Sequence, residues 1–236
     1  MSKPNGLTQA LALFSPIHRD GYKFAGIAAA VTLLAFPFSW ILGFLGLIAT
    51  LSLALFFRDP RRTVPVREGL VLAPADGTVL SVGNAVPPAE LGLGSLPAMR
   101  VSIFLTLLDV HVIRTPVPGR IATSFYKPGE HRNAASAEAP SVNECQGFTI
   151  ETKDALRIGA VLVAGAAARR IVTRIAQGDT VTAGERIGII RFGSRTDVYL
   201  PAPACPLVWE GQRTIAGETV IADLDSQEPR RIFQRI

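Results

Sequence analysis

The sequence predicts a mainly β protein with an α-helical hairpin at its front, and three observations carry that prediction. Beyond residue 66, short runs rich in Val and Ile recur, among them "GTVLSVG", "MRVSIFLT", "QGFTIET", "LRIGAVLVAG" and "ERIGIIRF", with Gly, Pro, Asp and Asn between them. Many short strands with turns between them read as a β-sandwich or barrel. Residues 24–57, by contrast, carry no charged side chain. Finally, "IAQGDTVTAGERIGII" sets one turn at Gly178-Asp179 and another at Ala183-Gly184 just ahead of a strand.

Taken in order, residues 1–21 form a polar lead-in, with a short amphipathic helix expected around "GLTQALALF". The uncharged run is 34 residues long, whereas one membrane span needs about 20. Pro37 lies near its middle, and proline breaks a helix by removing a donor and crowding the preceding turn. Two short helices, 22–36 and 40–57, are therefore expected, as a hairpin that dips into or barely crosses a bilayer. Arg19 and Lys23 precede it and Arg58, Arg61 and Arg62 follow, which favours both ends on the cytoplasmic face. A secretory signal has a shorter apolar core followed by a small-residue cleavage site; here arginines follow. The segment "RDPRRTVP" (58–65) is a linker that closes an N-terminal region, 1–65, and opens a β domain, 66–236.

Composition narrows the function. The chain has a net charge of +5, and basic chains meet nucleic acid, anionic lipid or acidic substrates. No aromatic-interleaved basic platform, helix-turn-helix pattern or zinc-finger spacing appears, which argues against nucleic acid. Arg58, Arg61, Arg62 and Arg67 are expected against anionic headgroups of a membrane surface. The two cysteines, Cys145 and Cys205, are far apart in sequence, so neither a disulfide framework nor a metal cluster is expected.

The side chains that could do chemistry are few. "APADGTV" holds Asp76; "LLDVHVIRTPVPG" holds Asp109, His111 and Arg114; "PGEHRNA" holds His131; "RFGSRTD" holds Gly193, Ser194, Arg195 and Asp197. Asp-Gly at 76–77 is a common turn. Alternation in "DVHVIR" puts Asp109 and His111 on one face of a strand. His131 defaults to solvent, Arg114 and Arg195 to exposed charges, and His18 to an interfacial surface. There is no Gly-x-Ser-x-Gly elbow, phosphate loop or metal-ligand spacing.

The Gly193-Ser194 pair, between two strand patterns, can be a kinked hairpin or something more reactive. A serine hydroxyl follows a carbonyl that no Cβ shields. Once a base takes its proton, the oxygen can attack that carbonyl and turn the peptide bond into an ester. Loss of the serine Cα proton then eliminates the ester, cuts the chain and leaves a dehydroalanine that hydrolyses to a pyruvoyl group. Such a step needs backbone strain, a base and oxyanion donors. The pyruvoyl ketone serves as an electron sink through a Schiff base with a substrate amine.

With these residues assembled, the chain resembles the phosphatidylserine decarboxylases in their short, hairpin-bearing form. The resemblance runs through "SPIHRDGYKF", "FFRDPRRTVP", "LVLAPADGTV", "DVHVIRTPVPGRI", "YKPGEHRNA", "SVNEC" and "RIGIIRFGSRTDVYLP". It implies self-cleavage between Gly193 and Ser194 into a β chain 1–193 and an α chain 194–236, with a pyruvoyl group made from Ser194 and no metal. The implied product of phosphatidylserine is phosphatidylethanolamine. Asp76 would orient or assist a base, and a histidine of "DVHVIR" would move protons. Longer members carry a second histidine where Arg114 stands, which leaves three candidates for the processing base: His111 serving both steps, Asp76 with less help, or His131. Arg114, Arg195 or a linker arginine could meet the substrate phosphate. The implied assembly is the pair of its own α and β chains, with a higher homo-oligomer open. The turns at 178–184 also resemble the hammerhead of biotinyl/lipoyl-type β-sandwiches, so a membrane-tethered carrier or adaptor without chemistry is the alternative. Its tip "VTAGE" lacks the modifiable lysine a carrier needs. A pyruvoyl decarboxylase of another serine-headed lipid is the further one.

Overall fold

The computed structural model describes residues 16–136, 138–166, 170–191, 193–202 and 204–226. The amphipathic helix expected around residues 6–14 lies outside them. The chain divides into two compact units, residues 1–61 and 62–236.

In the first unit, α1 (Gly21–Ala35) and α2 (Trp40–Phe56) form the expected helix pair. Ser39 caps α2 by accepting the Leu42 N–H. Small and hydroxylated residues line the seam. A Cβ added at Gly46 would lie 2.6 Å from Thr32 Oγ1, and one at Gly43 would lie 2.5 Å from the Phe36 ring. Thr32 Oγ1 also meets Thr50 Oγ1 at 3.1 Å. Outward, the helices expose Ile27, Val31, Leu33, Leu34, Phe38 and Trp40. No described helix is long and apolar enough to cross a membrane: 15 and 17 residues at 1.5 Å each reach about 22 and 26 Å, against roughly 30 Å of hydrocarbon. His18 is buried rather than exposed, facing Asp20.

The second unit is mainly β with few helices. Its strands are β1 (Leu70–Leu72), β2 (Gly77–Ala85), β3 (Ala98–Leu105), β4 (Val112–Arg114), β5 (Gly119–Lys127), β6 (Cys145–Glu151), β7 (Arg157–Ala164), β8 (Arg170–Thr173), β9 (Thr180–Val181), β10 (Arg186–Arg191), β11 (Ser194–Leu200), β12 (Cys205–Pro206), β13 (Arg213–Thr214) and β14 (Val220–Asp223). Eight of them make one antiparallel sheet in the order β13-β2-β3-β11-β7-β6-β5-β9. Two three-stranded sheets, β1-β14-β12 and β4-β10-β8, complete the unit. The main core takes residues from all three sheets, among them Ile103, Phe148, Leu162, Ile190, Val198 and Ile221.

Strand β11 lies between β3 and β7, with Ser194 opposite Leu105 and Ala164. Its alternation sends Val198 and Leu200 into the main core and Tyr199 to a second cluster with Val161 and Val163. By the same period of two, Ser194 and Thr196 share the main-core face, and Arg195 and Asp197 the other.

Strands β10 and β11 do not form a hairpin. β10 pairs with β4 and β8, whereas β11 belongs to the large sheet. The chain changes sheets between residues 191 and 194, and Gly193 takes φ +65° there. Nothing lies within 4 Å of a Cβ built on Gly193, so the left-handed backbone, not lack of space, calls for glycine. The turns read at 178 and 184 are present, with Gly178 at φ +98° and Gly184 at φ +70°. The segment "AASAEAPS" reads as a weak helix that Pro140 would interrupt, but the proline falls at a tolerated position. It lies in the first turn of α3 (Ala139–Val142), where a missing N–H costs nothing.

Candidate active site

Two hydrogen bonds hold Gly193 at the Gly193-Ser194 junction, one on its N–H and one on the carbonyl of the bond to Ser194. Gly193 N–H donates to His111 Nε2 at 3.3 Å. Gly193 carbonyl oxygen accepts from Gly165 N–H at 3.0 Å. Ser194 is fully buried, and its Oγ has no hydrogen-bond partner among the described residues. A buried hydroxyl left without a partner costs about 1–3 kcal/mol, and such a cost calls for an explanation, a catalytic role among them.

His111 is itself oriented. Its Nδ1 lies 2.9 Å from the Asp109 carbonyl oxygen. A carbonyl only accepts, so Nδ1 carries the proton and Nε2 keeps its lone pair toward Gly193. The histidine is fully buried. Its own carbonyl accepts Ile190 N–H at 3.1 Å, which ties it to β10 just before the sheet change.

Asp109 is not on a strand beside His111, as alternation suggested, because β4 begins only at Val112. It closes a turn instead. Asp109 Oδ2 accepts from Thr106 N–H and Thr106 Oγ1, each at 2.8 Å, and Asp109 N–H donates to the Thr106 carbonyl at 3.0 Å. Arg213 pairs with the same carboxylate. Burial alone would raise the Asp109 carboxyl, but the donors of Arg213 and Thr106 outweigh it and hold it below the ordinary value. This has a consequence for acid stability. A depressed carboxyl contributes stability that is present above about pH 4 and is lost as pH falls through the folded value. Arg213→Met is expected to lower the unfolding free energy measured in urea at pH 7, by about 1 kcal/mol or less because Arg213 is largely exposed. The gap between the two proteins should narrow as pH falls below about 4; a gap that stays constant as the solution is acidified would refute the pairing.

Asp76 is half of a second ion pair. Arg62 Nη2 reaches both carboxylate oxygens, at 2.9 and 2.7 Å, and Ala216 N–H donates to Oδ1 at 2.8 Å. Burial pushes the Asp76 carboxyl up, Arg62 and the Ala216 amide oppose it, and the Asp109 charge adds to the rise. The two carboxylates therefore share one electrostatic neighbourhood. Arg62 was expected against headgroups. It is instead the counter-ion of Asp76, while Arg67 pairs with Asp223 and Arg58 donates to the Leu55 carbonyl.

The other expected residues are engaged elsewhere. Arg114 is buried, not an exposed charge, and donates to the Gly184 carbonyl at 2.8 Å. Arg195 is also buried. It grips Asp197 through Nε at 2.6 Å and Nη2 at 3.0 Å, with Ser102 Oγ at 3.1 Å and the Ser136 carbonyl at 3.3 Å. An arginine so committed is not available to a substrate phosphate. His131 faces Glu144, Nε2 to Oε2 at 3.2 Å, and the other Glu144 oxygen accepts Ile171 N–H.

Two residues escaped the sequence reading. Gly165 sits in "VAGAAA", where nothing distinguishes it from a strand end. A Cβ there would come 2.5 Å from the Gly193 oxygen and 3.1 Å from its carbon, so only glycine brings its N–H to that carbonyl. Asn143, inside the quoted "SVNEC", is fully buried. Its Nδ2 donates to the carbonyls of Arg132 and Ala164, at 2.8 and 2.7 Å, and its Oδ1 accepts Arg132 N–H at 3.0 Å. It thus clamps the 130–134 loop to the end of β7, immediately before Gly165. A cavity of about 300 Å³ adjoins Gly193 and Gly165, lined also by Leu105, Thr106, Leu107 and Ala134. Among the described residues, no three His, Cys, Asp or Glu side chains gather as metal ligands.

A buried serine beside a polarised carbonyl, with an imidazole lone pair next to it, has the parts of an intramolecular acyl shift. Relatives carry a name that fits. The phosphatidylserine decarboxylase family model matches residues 50–222. A phosphatidylserine decarboxylase proenzyme of Xanthobacter autotrophicus is 51% identical over 221 residues, covering 94% of each chain. The proenzyme of Azorhizobium caulinodans is 47% identical over 98% of each chain. That of Nitrobacter winogradskyi is 48% identical, over 96% of this chain and 92% of its own. The chain belongs to the phosphatidylserine decarboxylase family.

Proposed function

We propose that this protein decarboxylates phosphatidylserine to phosphatidylethanolamine after cutting itself between Gly193 and Ser194. The observation that carries the reading is the held Gly193 peptide, with Gly165 N–H on its carbonyl, His111 on its amide and an unpartnered Ser194 hydroxyl beside it. His111 Nε2 takes the Ser194 proton, Oγ attacks the Gly193 carbonyl carbon, and Gly165 N–H stabilises the oxyanion. The imidazolium returns that proton to the Ser194 nitrogen as the C–N bond breaks. The Gly193-Ser194 amide thus becomes an ester with a free Ser194 amine, and His111 is neutral again for the next proton. Loss of the Ser194 Cα proton expels the Gly193 carboxylate and leaves dehydroalanine at 194. Water then replaces its nitrogen as ammonia, giving the pyruvoyl end of the α chain, residues 194–236. When formed, that group supplies a ketone that draws electrons from the substrate as CO₂ leaves. Ser194 heads a central strand directly after Gly193, which lines the cavity, and that position suits such a group. The α chain stays paired with β chain residues through β3 and β7, as one heterodimer.

The helical hairpin is read as the membrane anchor, embedded from the cytoplasmic face. The exposed apolar side chains of α1 and α2, with Trp40 at the bend, support that reading. The glycine turns at 178 and 184 support a biotinyl/lipoyl-like type for the β unit.

The test is direct. Purified protein should release CO₂ from phosphatidylserine in mixed micelles and form phosphatidylethanolamine, and a carbonyl reagent such as phenylhydrazine should stop it. Turnover unaffected by the reagent would reject the pyruvoyl group, and no turnover in a cleaved sample would reject the substrate.

The oxyanion role predicts its own variant. In Gly165→Ala the new methyl group displaces the Gly193 carbonyl, and losing one such donor typically costs about 10²–10³ in rate. Cleavage followed on gels after synthesis in vitro should slow by that order. Wild-type cleavage would exclude Gly165 from the reaction.

A further inference from the structure

The turn that orients His111 also carries two leucines into solvent. Thr106 and Asp109 close it with three hydrogen bonds, and Arg213 holds the Asp109 carboxylate from outside the turn. Between them, at the tip, Leu107 is 54% and Leu108 is 76% exposed. Turn tips ordinarily carry Gly, Asn, Asp, Ser or Pro. Large aliphatic side chains fixed outward on a rigid turn call for an apolar partner.

The position of this tip says what the partner is. Leu107 lines the same cavity as Gly193 and Gly165. The cavity therefore runs from the reactive carbonyl to an exposed leucine tip. A diacyl substrate remains in its bilayer while only its headgroup reaches the reacting atoms. The surface around the mouth of such a cavity has to meet acyl chains.

We propose that Leu107 and Leu108 insert into the bilayer around the substrate and set the depth at which the cavity opens. The inference rests on the phosphatidylserine reading. It assigns the tip a lipid partner separate from the helical hairpin. The turn is stiff because Asp109 and Thr106 brace it, so insertion of the tip fixes the mouth of the cavity at the level of the headgroups.

The experiment compares Leu108→Asp with wild type on two substrates. One is dioleoyl phosphatidylserine in phosphatidylcholine vesicles, and the other is dihexanoyl phosphatidylserine kept monomeric. The expected result is at least tenfold lower kcat/KM on vesicles, with cleavage and kcat/KM on the monomer within twofold of wild type. Equal loss on both substrates, or no loss on vesicles, would overturn the proposal. A second readout does not depend on activity. Leu108→Trp on vesicles containing brominated lipid should show quenching beyond that of the native Trp40 and Trp209 in wild type. No excess quenching would overturn insertion even if Leu108→Asp failed to fold. Excess quenching in a cleaved protein that turns over neither substrate would uphold the tip and reject the phosphatidylserine reading.

Discussion

Ser194→Ala is expected to remain a single chain of about 25.2 kDa and to decarboxylate nothing. Wild type, denatured and weighed, should give two fragments that divide between Gly193 and Ser194, the smaller beginning with a pyruvoyl group. The effect is all or none because the Oγ removed is both the attacking atom and the source of the ketone. A structural role predicts the reverse for stability. The Ser194 hydroxyl is buried without a partner, so deleting it removes an unsatisfied polar group, worth about 1–3 kcal/mol. The uncleaved alanine variant should therefore melt no lower than a wild-type precursor trapped before cleavage. Ser194→Cys supplies a further check. Its thiolate makes the acyl shift as a thioester, and hydroxylamine should then cut the chain at residue 193. A Ser194→Ala sample that still yields two fragments at this bond would sink the assignment.

The sequence carried the fold where its signals were local. Pro37 separated the helices because proline cannot continue one, and Gly178 and Gly184 marked their turns because only glycine takes those φ values freely. The sheet change at Gly193 was not legible. "RIGIIRFGSRTDVYLP" reads equally as a kinked hairpin, and only tertiary pairing decides that β10 joins β4 and β8 while β11 joins β3 and β7. The reactive centre divides in the same way. Ser194, Gly193 and His111 could be proposed from the sequence because side chains or backbone freedom of their kind carry chemistry themselves, and the structure brings the three together. Gly165 acts through a backbone N–H, which any residue except proline carries, so its identity leaves no trace until the sheet brings it to the Gly193 carbonyl. Arg62, Arg114 and Arg195 looked like surface charge. The partners that bury two of them lie far along the chain: Asp76 for Arg62 and the Gly184 carbonyl for Arg114. Arg195 has Asp197 two residues away, but a period of two on a buried strand was needed to see that they share a face.

The choice of base follows from the same contacts. Arg114, at the place of the second histidine of longer relatives, keeps its proton throughout the accessible pH range and donates to Gly184, so it cannot take one from Ser194. His131 lies against Glu144, and Asp76 has both oxygens on Arg62. His111 stands at the Gly193 junction, where its Nε2 lone pair accepts the Gly193 N–H. His111→Gln is the discriminating variant. The glutamine amide oxygen can accept the Gly193 N–H much as Nε2 does, so the strand junction is kept, but it is no base. Cleavage should slow by about 10²–10⁴, the usual share of a general base, with little change in melting temperature. Added imidazole should restore part of the rate in His111→Ala, where the deleted ring leaves room, and none in His111→Gln. If His111→Gln instead cleaves at the wild-type rate, the proton goes elsewhere, and the Asp76–Arg62 pair becomes the base to test through Asp76→Asn.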